Sequence, residues 1–154
     1  KLEQKYVVDI VTQNVDDLHE RAGSSSILHL HGELKKVSCM NNENHIFTTS
    51  SDQGSNDRCE ICNGLLRPYI VFFGEAVPNI EPAARLAQDA DILIVIGTSL
   101  QVYPAASLLY YARNNAKKFL VDPKAENSYN IDNLTIVKEK ATIGVPLVVE
   151  QLMK

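Results

Sequence analysis

No apolar run in this 154-residue sequence approaches membrane-spanning length; the longest clear one is Ile92–Ile96. The amino end, Lys-Leu-Glu-Gln-Lys, lacks a signal-peptide core. Positive charge is not in excess. The formal net charge is −4, and Lys35-Lys36 and Lys117-Lys118 are too short to be basic tracts, which argues against general nucleic-acid binding. Cysteine is scarce: 3 residues, an odd number, argue against a disulfide framework. Two of them form Cys59-Glu60-Ile61-Cys62, which suits a reduced compartment, taken as the cytoplasm, and a metal site. No internal repeat is visible. The composition is otherwise that of a globular protein, 45% hydrophobic and 22% charged, and long enough for one domain with its own core.

The chain is organised around residues 7–31. Residues 7–12 are an apolar, β-branched run of strand length, broken only by Asp9. The run ends in a polar cluster, Gln13, Asn14 and Asp16, where an α/β protein places ligand contacts. A helix is expected over 16–22, with Asn14 as its cap and Gly23 as its stop. His29 and His31 follow, two apart, and share a face if they lie on a strand. Residues 35–66 are polar, hold all the cysteines and show no persistent period, so this stretch needs a staple or a neighbour to order it. Residues 48–57 read as a mobile loop. Beyond them, apolar runs at 70–73, Ile92–Ile96, 119–121 and Leu134–Val137 alternate with helical stretches opened by Pro82, Pro104 and Pro146. The fully apolar Ile92–Ile96 suits a strand covered on both faces. Short links between alternating strands and helices imply right-handed βαβ units and an open parallel sheet.

Four stretches together resemble the sirtuins, the NAD-dependent protein deacylases. They are Thr12-Gln13-Asn14-Val15-Asp16-x-Leu18-His19; His31-Gly32-Glu33-Leu34; Pro68-Tyr69-Ile70-Val71-Phe72-Phe73-Gly74-Glu75; and Gly97-Thr98-Ser99-Leu100-Gln101-Val102-Tyr103-Pro104-Ala105. They come in the family's order and span nearly the whole chain. The resemblance implies a Rossmann-like NAD-binding domain over residues 1–34 and 67–154, interrupted at 35–66 by a small cysteine-bearing, zinc-ribbon-like module. It implies an acyltransferase-class reaction, in which the acyl group of a protein lysine passes to ADP-ribose and nicotinamide leaves. The partner implied is an acylated lysine peptide or protein, with no nucleic acid and no membrane.

Within that resemblance, His31 is the catalytic base, since a histidine titrates near neutral pH. Asn14 shares the catalytic role and also touches the cofactor. Gln13, Asn14 and Asp16 match residues at the nicotinamide and its ribose, to which amides and carboxylates bond directionally. Gly97, Thr98 and Ser99 match the turn that meets ribose and phosphate oxygens. Asp122 stands where sirtuins commonly carry Asn, and still suits a ribose. Ala141, at the family's spacing before Pro146, backs the adenine. Val71, Phe73, Gly74, Glu75 and Val102 match the segments between which the acyl-lysine peptide lies as a strand. Phe72 reads equally well as core. His19 and His29 read as structural.

Sirtuins hold structural zinc with two Cys-x-x-Cys pairs. Here Cys59 and Cys62 form one pair, while the other reads Cys39-Met40-Asn41-Asn42, with Asn42 in a cysteine slot. His45 is the nearby candidate for a fourth ligand beside Cys39, Cys59 and Cys62; the competing reading is a decayed site. The family's opening glycine- and serine-rich loop, which holds the NAD pyrophosphate, has no match, and Lys1 falls partway into the family pattern. The expectation is therefore that residues 1–154 alone do not hold NAD with useful affinity. Mono-ADP-ribosyl transfer and a non-catalytic binding domain are the alternative functions.

Overall fold

The computed structural model describes residues 1–98, 105–126 and 129–154. In chain order the elements are β1 (Ile10–Thr12), α1 (Leu18–Arg21), β2 (Ile27–His29), β3 (Gly32–Cys39), β4 (Asn42–Thr48), β5 (Leu66–Ile70), α2 (Ile80–Asp89), β6 (Ile92–Ile96), α3 (Leu108–Tyr111), β7 (Lys117–Val121), β8 (Leu134–Val137) and α4 (Ala141–Met153), with 3-10 turns at Leu2–Gln4 and Ala105–Ser107. No helix among the described residues is long and apolar enough to cross a membrane. The chain separates into two compact units, residues 10–79 and residues 1–9 with 80–154.

The larger unit is the parallel sheet β6-β7-β8 with its helices. β7 lies in the middle, and Lys118, Phe119, Leu120 and Val121 are all buried. β6, the most apolar strand in the sequence, is only half-buried and ends in an exposed Ile96. Expectation and structure differ here: the middle position, with a neighbour on each edge, belongs to the shorter apolar run at 119–121. Phe119 and Val121 form the core with Val148 and Leu152 of α4. Each such side chain contributes about 1.5–3 kcal/mol by leaving water. α4 packs on β7 through Gly144, where a Cβ would sit 2.5 Å from Val121 Cγ1. Tyr6 Oη and Lys5 Nζ both donate to the Leu152 carbonyl, at 2.7 and 3.0 Å, fastening the first residues to the end of α4. Lys118, although buried, donates from Nζ to the carbonyls of Arg113 (2.8 Å) and Asp132 (3.1 Å).

The smaller unit holds the parallel pair β1-β2 and the antiparallel sheet β4-β3-β5. The strand expected over 7–12 shortens to Ile10–Thr12, and Val7 is almost fully exposed. The helix expected over 16–22 shortens to Leu18–Arg21. Its cap is Asp17 rather than Asn14, and Asp16 Oδ1 accepts the Leu18 amide at 3.1 Å. Gly23 stops it at φ 85°. The stretch without a visible period holds two of the longer strands. Register shifts at Ser38/Cys39 and between Gly32 and Val37 break the alternation that marks a strand. Gly32 is obligatory: at φ 84° a Cβ would lie 2.0 Å from the Tyr69 carbonyl oxygen.

Two helix boundaries also differ from expectation. Pro146 lies inside α4, which begins at Ala141, and the helix expected over 105–114 is a 3-10 turn followed by one α-turn.

Candidate functional site

Within the smaller unit, β1 and β2 run parallel and end together at Thr12 and His29. Their ends bring the histidines to the backbone of Gln13 and Asn14. His31 lies just beyond β2. Its Nδ1 donates to the Gln13 carbonyl at 3.1 Å. A carbonyl oxygen only accepts, so the ring proton sits on Nδ1 and Nε2 is the basic nitrogen. The backbone is fixed as well, because Val71 N donates to the His31 carbonyl at 3.0 Å. Asn14 is exposed, and its amide donates to Thr12 Oγ1 at 3.1 Å.

His29 is buried and held differently. Nδ1 donates to the Asn14 carbonyl at 3.1 Å, and Nε2 meets Glu20 Oε1 at 2.8 Å. Both partners are acceptors, so both ring nitrogens carry protons. Burial pushes His29 down, but Glu20 and the Asn14 carbonyl together lift it above the ordinary histidine value. Asn79 Nδ2 donates to the His29 carbonyl at 2.7 Å. The folded form therefore binds the His29 proton more tightly than the unfolded chain. This stabilisation is complete below the unfolded value of about 6.5 and is lost as pH rises through the higher folded value. The melting temperature should fall as pH rises above about 6.5, and His29→Gln should flatten that slope. An unchanged slope in the variant would assign the effect elsewhere.

Val71 to Glu75 follow β5. Arg67 holds this loop: Nη1 and Nη2 donate to Glu75 Oε1 and Oε2 at 2.7 and 3.0 Å, and Nη2 also donates to the Ile70 carbonyl at 3.2 Å. The Arg67 guanidinium keeps the Glu75 carboxyl below the usual carboxylate range. Glu75 Oε2 accepts the Phe72 amide at 2.9 Å, and the Phe72 ring lies 5.0 Å from the guanidinium. Phe72 is half exposed rather than core, and Phe73 is fully exposed. Gly74 turns at φ 88°. The loop thus offers apolar side chains on a backbone fixed from below.

In the larger unit, Gly97 follows β6 at φ 60°, with nothing among the described residues within 4 Å of where a Cβ would be. This open backbone suits a ligand that approaches the strand end closely. Thr98 follows, half-buried. Asp122 follows β7, and its Oδ1 accepts the Lys124 amide at 2.7 Å. Ala141 is exposed at the first turn of α4. Ser99 and Val102 lie outside the described residues.

The cysteine module converges on four side chains. Donor atoms of Cys39, His45, Cys59 and Cys62 all lie within 4.8 Å of one another. Cys39 Sγ and Cys62 Sγ are 3.3 Å apart, and Cys59 Sγ is 3.4 Å from His45 Nδ1. A tetrahedral zinc ion with bonds of about 2.3 Å to sulfur and about 2.0 Å to nitrogen needs donors about 3.5–3.8 Å apart, so this set fits it. Cys39 ends β3, His45 lies in β4, and the Cys59–Cys62 turn closes through the Asn63 amide on the Cys59 carbonyl at 2.8 Å. Gly64 lets the turn approach, since a Cβ there would be 2.8 Å from Cys39 Sγ. Burial pushes the Cys39 and Cys59 thiols up, but nearby backbone amides outweigh it and leave both below the usual thiol value. Three thiols and an imidazole thus form a closed structural donor set.

Sequence reading does not single out Glu20, Arg67 or Asn79. Their partners lie 9, 8 and 50 residues away, and no spacing marks such pairs.

Residues 1–104 match the Sir2 family profile. The chain is 52% identical over 131 residues to an NAD-dependent protein deacylase of Aggregatibacter actinomycetemcomitans, covering 84% of this chain and 62% of the relative. It is 50% identical over 141 residues to an NAD-dependent protein deacylase of Helicobacter pylori, covering 92% and 61%. A crystal structure of a Sir2 homolog–NAD complex superposes with a TM-score of 0.83 at 35% identity, over 99% of this chain and 61% of the other. A Sir2–p53 peptide–NAD+ structure does so at 0.76 and 32%, over 99% and 67%. The chain spans about three fifths of the length of these curated relatives. With the His-Gly-Glu motif at the β1–β2 ends and the four-donor module beside it in the chain, the match makes this chain a member of the Sir2 family.

Proposed function

We propose that the protein of which this chain is part is an NAD-dependent protein-lysine deacylase acting in the cytoplasm. The observation that carries the reading is the His31 Nδ1–Gln13 carbonyl bond, which leaves Nε2 as a base beside Gln13 and Asn14. NAD, when bound, supplies the ADP-ribosyl acceptor for the acyl group and nicotinamide as the leaving group. His31 Nε2 takes the proton of a sugar hydroxyl, and Asn14 orients the groups around it. Gln13 and Asp16 hold the nicotinamide-side ribose. Gly97, Thr98 and Ser99 meet ribose or phosphate oxygens, Asp122 meets the adenine-side ribose, and Ala141 backs the adenine. Val71, Phe73, Gly74, Glu75 and Val102 bind the acyl-lysine peptide, with main-chain bonds for affinity and apolar surface for the lysine stem. The described cysteines are free thiols, which supports a reduced compartment.

The test is incubation of the full-length protein with NAD and an acetyl-lysine peptide. Deacylated peptide and nicotinamide are expected in equal amounts. Nicotinamide release with ADP-ribose attached to protein and no deacylated peptide would replace this reading by ADP-ribosyl transfer.

A further inference from the structure

Asn14 is exposed just past the end of β1, so its side chain takes its direction from the backbone rather than from packing. That direction follows from two dihedral angles, which the peptide planes before and after the residue define. Both planes are held. Before Asn14, its amide donates to Thr12 Oγ1 at 3.1 Å and the Gln13 carbonyl accepts from His31 Nδ1 at 3.1 Å. After it, the Asn14 carbonyl accepts from His29 Nδ1 at 3.1 Å. The outer carbonyls are met by main-chain amides, Thr12 by Leu30 at 2.9 Å and Val15 by Leu34 at 2.8 Å. Carbonyls 12 to 15 are thus each met by a donor from residues 29–34. His29 is itself anchored: its ring is buried, Nε2 donates to Glu20 Oε1 at 2.8 Å, and its carbonyl accepts from Asn79 Nδ2 at 2.7 Å.

We propose that His29 is a positioning residue for NAD: it fixes the peptide plane after Asn14 so that the Asn14 carboxamide is already aimed when the cofactor arrives, and Glu20 holds the ring in place. This rests on the reading of Asn14 as a cofactor contact. The gain is preorganisation. Without the ring, the cofactor itself must order the Asn14 backbone, and that cost comes out of its affinity. His29 then serves the site through its bond to the Asn14 carbonyl, while His31, two residues on, serves it through a free Nε2.

The test is calorimetric titration of the full-length protein with NAD in the absence of peptide, which needs no turnover. His29→Ala should weaken NAD binding about 10-fold, the weight of one hydrogen bond to a charged group. Glu20→Ala should cost less, because Nδ1 keeps its acceptor. Glu20→Gln should recover most of that smaller loss, since its amide can meet Nε2 in either protonation state of the ring. Should His29→Ala fail to fold, Glu20→Ala at an exposed residue carries the comparison. The decisive measurement is a double-mutant cycle with Asn14→Ala. Once the Asn14 side chain is gone there is nothing left to aim, so adding His29→Ala, or Glu20→Ala in its place, should cost little more. Losses that simply add would show that the ring supports the site by another route and overturn the proposal. So would a folded His29→Ala protein that binds NAD as the wild type does while Asn14→Ala binds it weakly. Unchanged NAD affinity in Asn14→Ala would instead remove the cofactor contact itself, and the proposal with it.

Discussion

Replacing His31 by alanine in the full-length protein should lower NAD-dependent deacylation by about 100- to 10,000-fold, the usual cost of a positioned acid–base group. The physical reason is one nitrogen. Nδ1 is committed to the Gln13 carbonyl, so Nε2 keeps its lone pair and is the atom able to take a proton. His29, two residues earlier, has acceptors at both nitrogens and cannot substitute for it. The loss should fall on turnover rather than on peptide affinity, because the loop proposed to bind the peptide is held by Arg67 and Glu75, not by the His31 ring. The fold should survive, since the ring makes a single bond to a neighbouring turn and is only half-buried. Near-normal turnover by a folded variant would remove His31 from the mechanism.

Chelating the metal should unfold the β3-β4-β5 module, the second large effect. Between residues 32 and 70, the buried hydrophobic residues among those described are Val37, Cys39 and Cys59. One valine contributes about 1.5–3 kcal/mol, while ordering each residue costs about 1–2 kcal/mol of backbone entropy. Structural zinc in small domains contributes about 10–16 kcal/mol of apparent binding energy, which is folding energy when the site does not exist in the unfolded chain. Elemental analysis should give about one zinc per chain. Chelation, or Cys59→Ala, should raise amide hydrogen exchange across 32–70 while the Phe119, Val121, Val148 and Leu152 core keeps its protection. A zinc-free chain with the module fully protected would make packing, not metal, its staple.

The sequence by itself determined what local chemistry can specify. Ile92–Ile96 and Leu134–Val137 are strands with the boundaries their composition implies, because apolar β-branched runs bounded by polar residues have few other uses. Gly23 stops its helix because the left-handed conformation there is cheap only for glycine. The sirtuin motifs name the family because each is a short contiguous string. The tertiary structure decided whatever depends on partners distant in the chain. Burial of β7 over β6 follows from strand order, which no single strand encodes. β3 escapes sequence reading because two register shifts interrupt its pairing, and β4 because it is an edge strand of mostly polar, exposed residues. The 4.8 Å convergence of His45 with three cysteines needed the β3–β4 hairpin to carry it across from Cys59. The difference between His29 and His31 is likewise tertiary: one histidine ends β2 and the other lies two residues past it, and their chemistry parts because Glu20 reaches the first ring, an acceptor supplied by a helix whose arrival no spacing in the sequence announces.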